Sequence, residues 1–450
     1  MGDPAAVFLA YDIRGLVPEH LDADLSRRIG AAFARLVRRR EPDTVRIVLG
    51  RDMRETGVEL AAAFADGVSS QGLDVVDLGL ASTDMLYFAS GHMDAPGAVF
   101  TASHNPAGYN GIKLCLSAAK PVGRDTGLAE MQADLEDPDA GGRALGTTST
   151  LDLLDAFANH VRSFVDISAL APLKVVVDTA NGMGGLVVPA VFDSLPFDIE
   201  IMYADLDGTF PNHPADPLQA ANLVDLQERV LATGADIGLA FDGDADRVFL
   251  VDEAARPVSG SLTTALVAAT VLGHQPGATV IHNLICSKAV PEVIAEHGGR
   301  AVRSRVGHSY IKELMATEGA AFAGEHSGHY YFADNYRADS GLIAALMVLE
   351  ALSASGGTLS ALLAPYDRYA ASGEINFRVD DTVAVISRIT SHFEGGGRLD
   401  HTDGLTVDMG AWWFNLRPSN TEPLLRLNLE APTAKDCADR LAEVSALISQ

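Results

Sequence analysis

Ile237-Gly238-Leu239-Ala240-Phe241-Asp242-Gly243-Asp244-Ala245-Asp246-Arg247-Val248-Phe249-Leu250-Val251 places three aspartates at alternate positions between two apolar runs. Two folds compete for it. Asp242, Asp244, Asp246 and Glu253 fall at positions 1, 3, 5 and 12 of a calcium-binding EF-hand loop. That loop requires glycine at position 6, where Arg247 stands, and its positions 7 to 10 are here the strand-like Val248-Phe249-Leu250-Val251. The stretch therefore reads as strand, loop, strand, with Phe241 and Val248 embedding the acidic turn. A solvated acidic turn is the plain alternative. Three carboxylates set between buried strands repel one another, whereas hard oxygen donors suit a divalent ion. With only three carboxylates, Mg2+ needs a further oxygen, from water or a phosphate.

Other apolar runs end in loops of the same kind. Gly97-Ala98-Val99-Phe100 leads into Thr101-Ala102-Ser103-His104-Asn105-Pro106, with Lys113 close behind. A hydroxyl, an imidazole and an ammonium stand together there, although a loop like this alone is equally an ordinary surface turn. Ala320 to Ala323 leads into Gly324-Glu325-His326-Ser327-Gly328-His329, whose acceptor, hydroxyl and imidazoles suit the vicinal hydroxyls of a sugar. Zinc lacks a third His or Cys at ligand spacing. Arg417-Pro418-Ser419-Asn420-Thr421 is an anion pocket or a hairpin turn with capping side chains. Tyr11 to Gly15 ends a strand and delivers Arg14, whose plain reading is an ion pair with Asp12. His308, in Gly307-His308-Ser309, is by itself a cap or core histidine. Asn181-Gly182-Met183-Gly184-Gly185 lacks the GxGxxG spacing and reads as a tight strand-to-helix turn.

Strands alternate with helices through three stretches. Val45 to Gly50, Val58 to Ser70, Leu73 to Leu78 and Gly97 to Ala102 make the first, with a bridging helix from Leu151 to Val165. Leu173 to Asp178, Phe197 to Met202, Leu218 to Thr233 and Ile237 to Val251 make the second. Thr279 to Leu284, Lys288 to Glu296, Ala301 to Ser304, the helix from Gly307 through Met315 and the apolar helix Ser340 to Leu352 belong to the third. The last segment is a smaller α+β unit ending in the amphipathic helix Ala434 to Ile448. The expected domains are 1–150, 151–256, 257–368 and 369–450, with a hinge at Pro365 to Ser372, so the fold class is α/β with an appended α+β domain. A chain of 450 residues is too long for one core. Its net charge of −27 disfavours nucleic acid and anionic membranes. Cys115, Cys286 and Cys437 are scattered and odd in number, which fits a reducing cytoplasm. No apolar stretch is long enough to span a bilayer, and the N-terminus does not read as a signal peptide.

The loops as a set, in order and spacing over essentially the whole chain, resemble those of the α-D-phosphohexomutase superfamily. Thr101 to Pro106 is similar to its phosphoserine loop, Asp242 to Arg247 to its magnesium loop, Gly324 to His329 to its sugar-binding loop and Arg417 to Thr421 to its phosphate-binding loop. The resemblance implies four domains around a central cleft, three similar α/β mixed-sheet domains and a C-terminal TBP-like α+β domain. It implies a phosphoserine at Ser103 and Mg2+ held by that phosphate with Asp242, Asp244 and Asp246. The implied reaction is a 1,6-phosphate shift on a hexose phosphate, with a hexose 1,6-bisphosphate as intermediate and activator. Lys113 is the implied general acid/base, with His308 and His329 as alternates. Arg14 and Arg247 would steady the phosphoserine. His104, His308, Glu325, Ser327, His329, Arg417, Ser419, Asn420 and Thr421 would bind substrate.

Within the superfamily, the histidine that ends Gly324 to His329 and the run Tyr109-Asn110-Gly111-Ile112-Lys113 are more similar to phosphomannomutase and dual-specificity members than to glucose-only or glucosamine mutases. One departure argues against dual specificity: Ile285 precedes Cys286-Ser287 where dual-specificity relatives carry a substrate lysine, and Lys288 comes three residues later. The expected partners are small hexose phosphates, with monomer and dimer both open. A non-catalytic sugar-phosphate sensor and a metal phosphatase are the readings from other classes. The first would bind without turnover, and the second would release inorganic phosphate.

Overall fold

The structure, a computed structural model, describes residues 4–136, 144–418 and 424–449. Its strands form four sheets, and one recurring joint presents the loops. In the first sheet Asp74–Leu80, Arg46–Arg51 and Gly97–Phe100 run parallel, and Tyr109–Leu116 turns back against the last of them. Ile13–Leu16 and Thr148–Thr150 lie at the two edges. In the second sheet Asp198–Met202, Lys174–Asp178 and Ile237–Phe241 run parallel, and Val248–Asp252 turns back. In the third, Arg300–Ser304, Thr279–Asn283 and Phe322–Gly324 run parallel, and Tyr330–Phe332 turns back. Each reversal is one of the loops singled out above: 101–108, 242–247 and 325–329. All three sit beyond the carboxyl end of a parallel strand, where sheets of this kind bind ligands.

The fourth sheet is antiparallel throughout, in the order Ala370–Arg378, Leu424–Ala431, Trp413–Pro418, Leu405–Asp408, Arg398–Asp400. Helices Thr382–Phe393 and Ala434–Ile448 accompany it. Arg417 stands at the end of one hairpin strand. Ser419, Asn420 and Thr421 fall between the hairpin strands and lie outside the described residues.

Burial explains the sequence pattern. Ile237–Phe241 is buried at every position, as expected of a strand covered on both faces. A single apolar cluster passes through Val48 and Val99 of the first sheet, Val175 and Leu239 of the second, and Val280 and Phe322 of the third. The other face of the first sheet packs on helices Ala23–Arg40 and Thr56–Ser70. The fourth sheet has its own core around Phe414, Leu427 and Val444. It meets the third domain through Arg303 and Asp400 at 3.0 Å and Lys288 and Asp408 at 2.8 Å.

Several elements differ from the sequence reading. Ala23–Arg40 and Thr83–Met93 are helices with no counterpart in it. The first is capped by Asp22, whose side chain accepts from Leu25 N–H. The second buries Thr83 through Ser90 without interruption, so it has no polar face to reveal a period. The helix expected from Leu218 is a 3-10 turn, Ala220–Leu223, followed by Val224–Thr233. The strand from Gly97 stops at Phe100, and Ala370–Arg378 begins inside the expected hinge. Among the described residues, no helix is long and apolar enough to cross a membrane.

Candidate active site

Ser103 follows the strand Gly97–Phe100 and has φ 50°, in the left-handed region that a non-glycine residue enters only where its surroundings hold it. Its N–H donates to Thr101 Oγ1 at 2.9 Å. Its hydroxyl donates to Asp242 Oδ2 at 2.8 Å and accepts from Arg247 Nη2 at 3.1 Å. The serine of the first sheet and the acidic loop of the second therefore share one buried site. Gly243 permits this approach, because a Cβ there would overlap the carbonyl oxygen of Ser103. The glycine run after Asn181 backs the acidic loop: Met183 N–H donates to the Gly243 carbonyl at 2.9 Å.

Asp242, Asp244 and Asp246 are buried, and one oxygen from each lies within 4.8 Å of the others. Asp242 Oδ2 accepts from Arg247 Nε at 2.9 Å and Nη2 at 2.7 Å. Lys113, brought in by the pairing of its strand with Val99, donates to Asp244 Oδ2 at 2.7 Å and Asp246 Oδ2 at 2.5 Å. Thr83 Oγ1 also donates to Asp244 Oδ2, at 2.6 Å. Asp244 Oδ1 and Asp246 Oδ1 are buried without a hydrogen-bond partner among the described residues. Buried carboxylate oxygens left so are costly. Three hard oxygen donors with unused lone pairs fit a divalent cation such as Mg2+.

The charges reinforce one another. Burial, joined by Asp244 and Asp246 and opposed by Arg247, pushes Asp242 up to about 7. Burial would raise Asp244 as well, but Lys113 and Thr83 hold it below the ordinary carboxylate range. For Lys113, burial works against the charge, and Asp244 and Asp246 overcome it, so the ammonium is held well above its usual value. His104 Nδ1 lies 3.2 Å from Ser103 Oγ and touches Arg247 Nη2. Burial, then Arg247 and Arg14, push this imidazole down to about 2, so it is neutral. Arg14 pairs with Asp12 at 2.7 Å and also reaches the serine loop, at the Ala102 carbonyl (3.2 Å) and the Asn105 side chain. The ion pair and the loop contact coexist.

The third domain joins the site through a backbone bridge between Arg247 and His329. His329 Nδ1 is 2.8 Å from Asp339 Oδ2 and 3.8 Å from Asp246 Oδ1. Burial would lower the His329 pKa, but Asp246 and Asp339 raise it overall. Glu325 turns inward, accepting from Tyr331 Oη at 2.7 Å and Asn283 Nδ2 at 3.1 Å. Ser327 is half-buried in the same turn. His308 opens the helix His308–Glu318, its ring centroid 5.1 Å from that of Tyr11. Burial, with Lys312 beside it, keeps His308 far below its usual pKa. Arg417 Nη2 is 3.4 Å from Glu374 Oε2. Burial first, and then the Arg417 charge, push His326 down to about 3. Lys288 does not take the place of the missing lysine beside Ile285: its Nζ is committed to Asp408 and to the Gly410 carbonyl at 2.6 Å.

Thr83 and Asp339 escaped the sequence reading. Each belongs to a hydroxyl-and-acid cluster at a helix N-terminus, Ser82-Thr83-Asp84 and Asp339-Ser340, and such clusters are the signal that could have found them. They also meet: Asp84 accepts from Ser82 Oγ at 2.5 Å and from Ser340 Oγ at 2.8 Å.

Comparison with known proteins agrees with this arrangement. Sequence models of the phosphoglucomutase/phosphomannomutase alpha/beta/alpha domains I, II and III match residues 5–138, 155–255 and 259–369, and that of the C-terminal domain matches 374–447. The chain is 41% identical over 448 residues to a protein of Xanthomonas campestris pv. campestris named for phosphohexose mutases, covering 98% of each. It is 41% identical over 437 residues to a phosphomannomutase of Salmonella montevideo, covering 94% of each. A solved phosphoglucomutase/phosphomannomutase family protein of Burkholderia thailandensis superposes with a TM-score of 0.89 at 32% identity, over 98% of this chain and 97% of that one. Matched from end to end in this way, the chain belongs to the phosphoglucomutase/phosphomannomutase family and is a phosphohexomutase, an enzyme of the isomerase class.

Proposed function

We propose that this enzyme interconverts mannose 6-phosphate and mannose 1-phosphate, carrying a phosphoryl group on Ser103 and passing through a hexose 1,6-bisphosphate. The observation that carries the reading is the convergence of Ser103 Oγ, Asp242 and Arg247 within 3.1 Å at the meeting of two domains. The choice of mannose is supported by the names of full-length relatives near 40% identity and by Ile285, which takes the place of a substrate lysine.

Ser103 is the nucleophile and the phosphoryl carrier. Arg247 Nη2, already on Ser103 Oγ, stabilises negative charge on the group in transfer. Arg14 steadies the loop that bears it. Asp242, Asp244 and Asp246 would hold Mg2+, which when bound supplies neutralising charge at the phosphoryl oxygens. Lys113 keeps its proton between two carboxylates, so its part is chiefly that of a fixed cation. His329, oriented through Nδ1 by Asp339, leaves Nε2 to give a proton to, or take one from, a sugar hydroxyl. His104, His308, Glu325, Ser327 and Arg417 with Ser419, Asn420 and Thr421 bind the sugar and its second phosphate. Both ends of the sugar must fit the same clamp in turn, which polar recognition tolerates.

The test is turnover of mannose 1-phosphate with Mg2+ and glucose 1,6-bisphosphate, compared by kcat/KM with glucose and glucosamine phosphates. The mannose substrate should lead by at least about tenfold, and the peptide spanning Ser103 should carry an additional ~80 Da. Full activity in Ser103→Ala, or inorganic phosphate released at every turnover, would overturn the reading.

A further inference from the structure

Arg54 belongs to none of the loops above. It lies in the turn between the strand Arg46–Arg51 and the helix Thr56–Ser70 and is only 1% exposed. A guanidinium carries five N–H donors in a rigid fork, and here each has an acceptor. Nε donates to Asp52 Oδ2 at 3.2 Å. Nη1 donates to the carbonyls of Pro106 at 2.9 Å and Tyr109 at 3.0 Å. Nη2 donates to the carbonyls of Ser103 at 3.0 Å and Asn105 at 2.6 Å. Phe210 of the second domain covers the group, its ring centroid 5.0 Å from Cζ. With every donor engaged inside the protein, Arg54 has none left for a phosphate. It gathers four carbonyls onto one buried cation, three of the serine loop and that of Tyr109 at the start of the strand that follows.

A loop drawn onto one point has little freedom. Ser103 supplies one of the four carbonyls and is also the residue at φ 50°. We propose that Arg54 is a positioning residue for phosphoryl transfer, holding Ser103 in its left-handed conformation and so fixing where Oγ points. This rests on the reading of Ser103 as the phosphoryl carrier. Lysine cannot replace it, since a compact ammonium with three donors does not reproduce the fork. Asp52 completes the device by holding Nε and also accepting from Arg54 N–H at 2.9 Å.

The test compares Arg54→Ala and Arg54→Lys with the wild type, following kcat and KM for mannose 1-phosphate and amide hydrogen exchange across residues 101–109. Misplacing the nucleophile by about 1 Å should lower kcat roughly 100-fold, with KM within about threefold because most of the proposed substrate contacts lie on other loops. Free guanidinium should recover at least about tenfold of the loss in Arg54→Ala and none in Arg54→Lys. Exchange in 101–109 should quicken in Arg54→Ala and slow again with guanidinium. The proposal is overturned by a kcat within about threefold of wild type, by a rise in KM alone, or by unchanged exchange in that segment. Should Arg54→Ala not fold, Arg54→Lys, which keeps a cation opposite Asp52, carries the kcat-against-KM comparison. A wild type without mutase turnover defeats the mutase reading; unchanged exchange in 101–109 defeats the role of Arg54 whatever the reaction.

Discussion

The first three domains and the fourth are held to the molecule by different forces. One apolar cluster threads the first three sheets, whereas the fourth keeps a core of its own and meets the third domain through polar contacts, among them Arg303–Asp400, Lys288–Asp408 and the hydrogen bond from Lys288 N–H to Glu430. Apolar burial scales with area and is not weakened by charge screening. Partly exposed ion pairs contribute about 0–1 kcal/mol each and are screened. The proposed reacting centre, from Ser103 to Asp246, thus lies where domains share an apolar core, and the proposed clamp at Arg417 rides on the domain joined through polar contacts. On the proposed mechanism the site admits, turns and releases a sugar with two phosphates, and it would gain from such a division.

The largest expected effect tests the clamp. Arg417→Ala should raise KM for mannose 1-phosphate by about 10- to 100-fold, the loss of one charged hydrogen bond of about 1.5–3 kcal/mol. If it is remote from the chemistry, kcat should stay within about threefold. A fall in kcat as large as the rise in KM would place Arg417 in the reacting centre and erase the contrast. A middle-sized effect tests the fused part. Asp84 joins the helix Thr83–Met93 to Ser340 at the start of Gly341–Ser355. Burial pushes it up to about 7, against hydrogen bonds from Ser82 and Ser340. Because the folded pKa lies above the unfolded one, its stabilising contribution is complete below about pH 4 and is lost as pH rises through about 7. Asp84→Asn should therefore flatten the decline in Tm between about pH 4 and pH 7 by about 3 to 6 °C. An unchanged slope would show that this carboxyl does not govern the junction. The smallest effect sharpens the boundary. Lys288→Met with Arg303→Met should quicken hydrogen exchange across 398–410 and leave 237–252 unaltered, with kcat/KM changing by less than about fivefold. Equal loosening of both segments would mean the fourth domain is not separately held.

Much of the candidate site was legible because its chemistry-bearing side chains are packed into consecutive residues. Asp242, Asp244 and Asp246 announce themselves, and the flanking Val248 to Val251 was enough to set aside the EF-hand spacing. The strands were legible for the same reason, since Ile237–Phe241 is apolar throughout. Partnerships made only by the fold were not. Thr83 meets Asp244 across 161 residues, and nothing around either announces the other. Lys113 was visible as a cation near Ser103, yet its place between Asp244 and Asp246 depends on the pairing of its strand with Val99. The helix Thr83–Met93 is buried too completely to show a period. In Ala23–Arg40 the buried Ile29, Phe33 and Leu36 lie among arginines that dilute the pattern.

The bare backbone at Gly243 reaches further than its own loop, since any side chain there would press on the carbonyl of Ser103. Two stretches more than a hundred positions apart are thereby bound to vary together. A hybrid that took its opening third from one parent and its middle from another would keep a usable serine only where the middle parent also leaves that spot without a side chain.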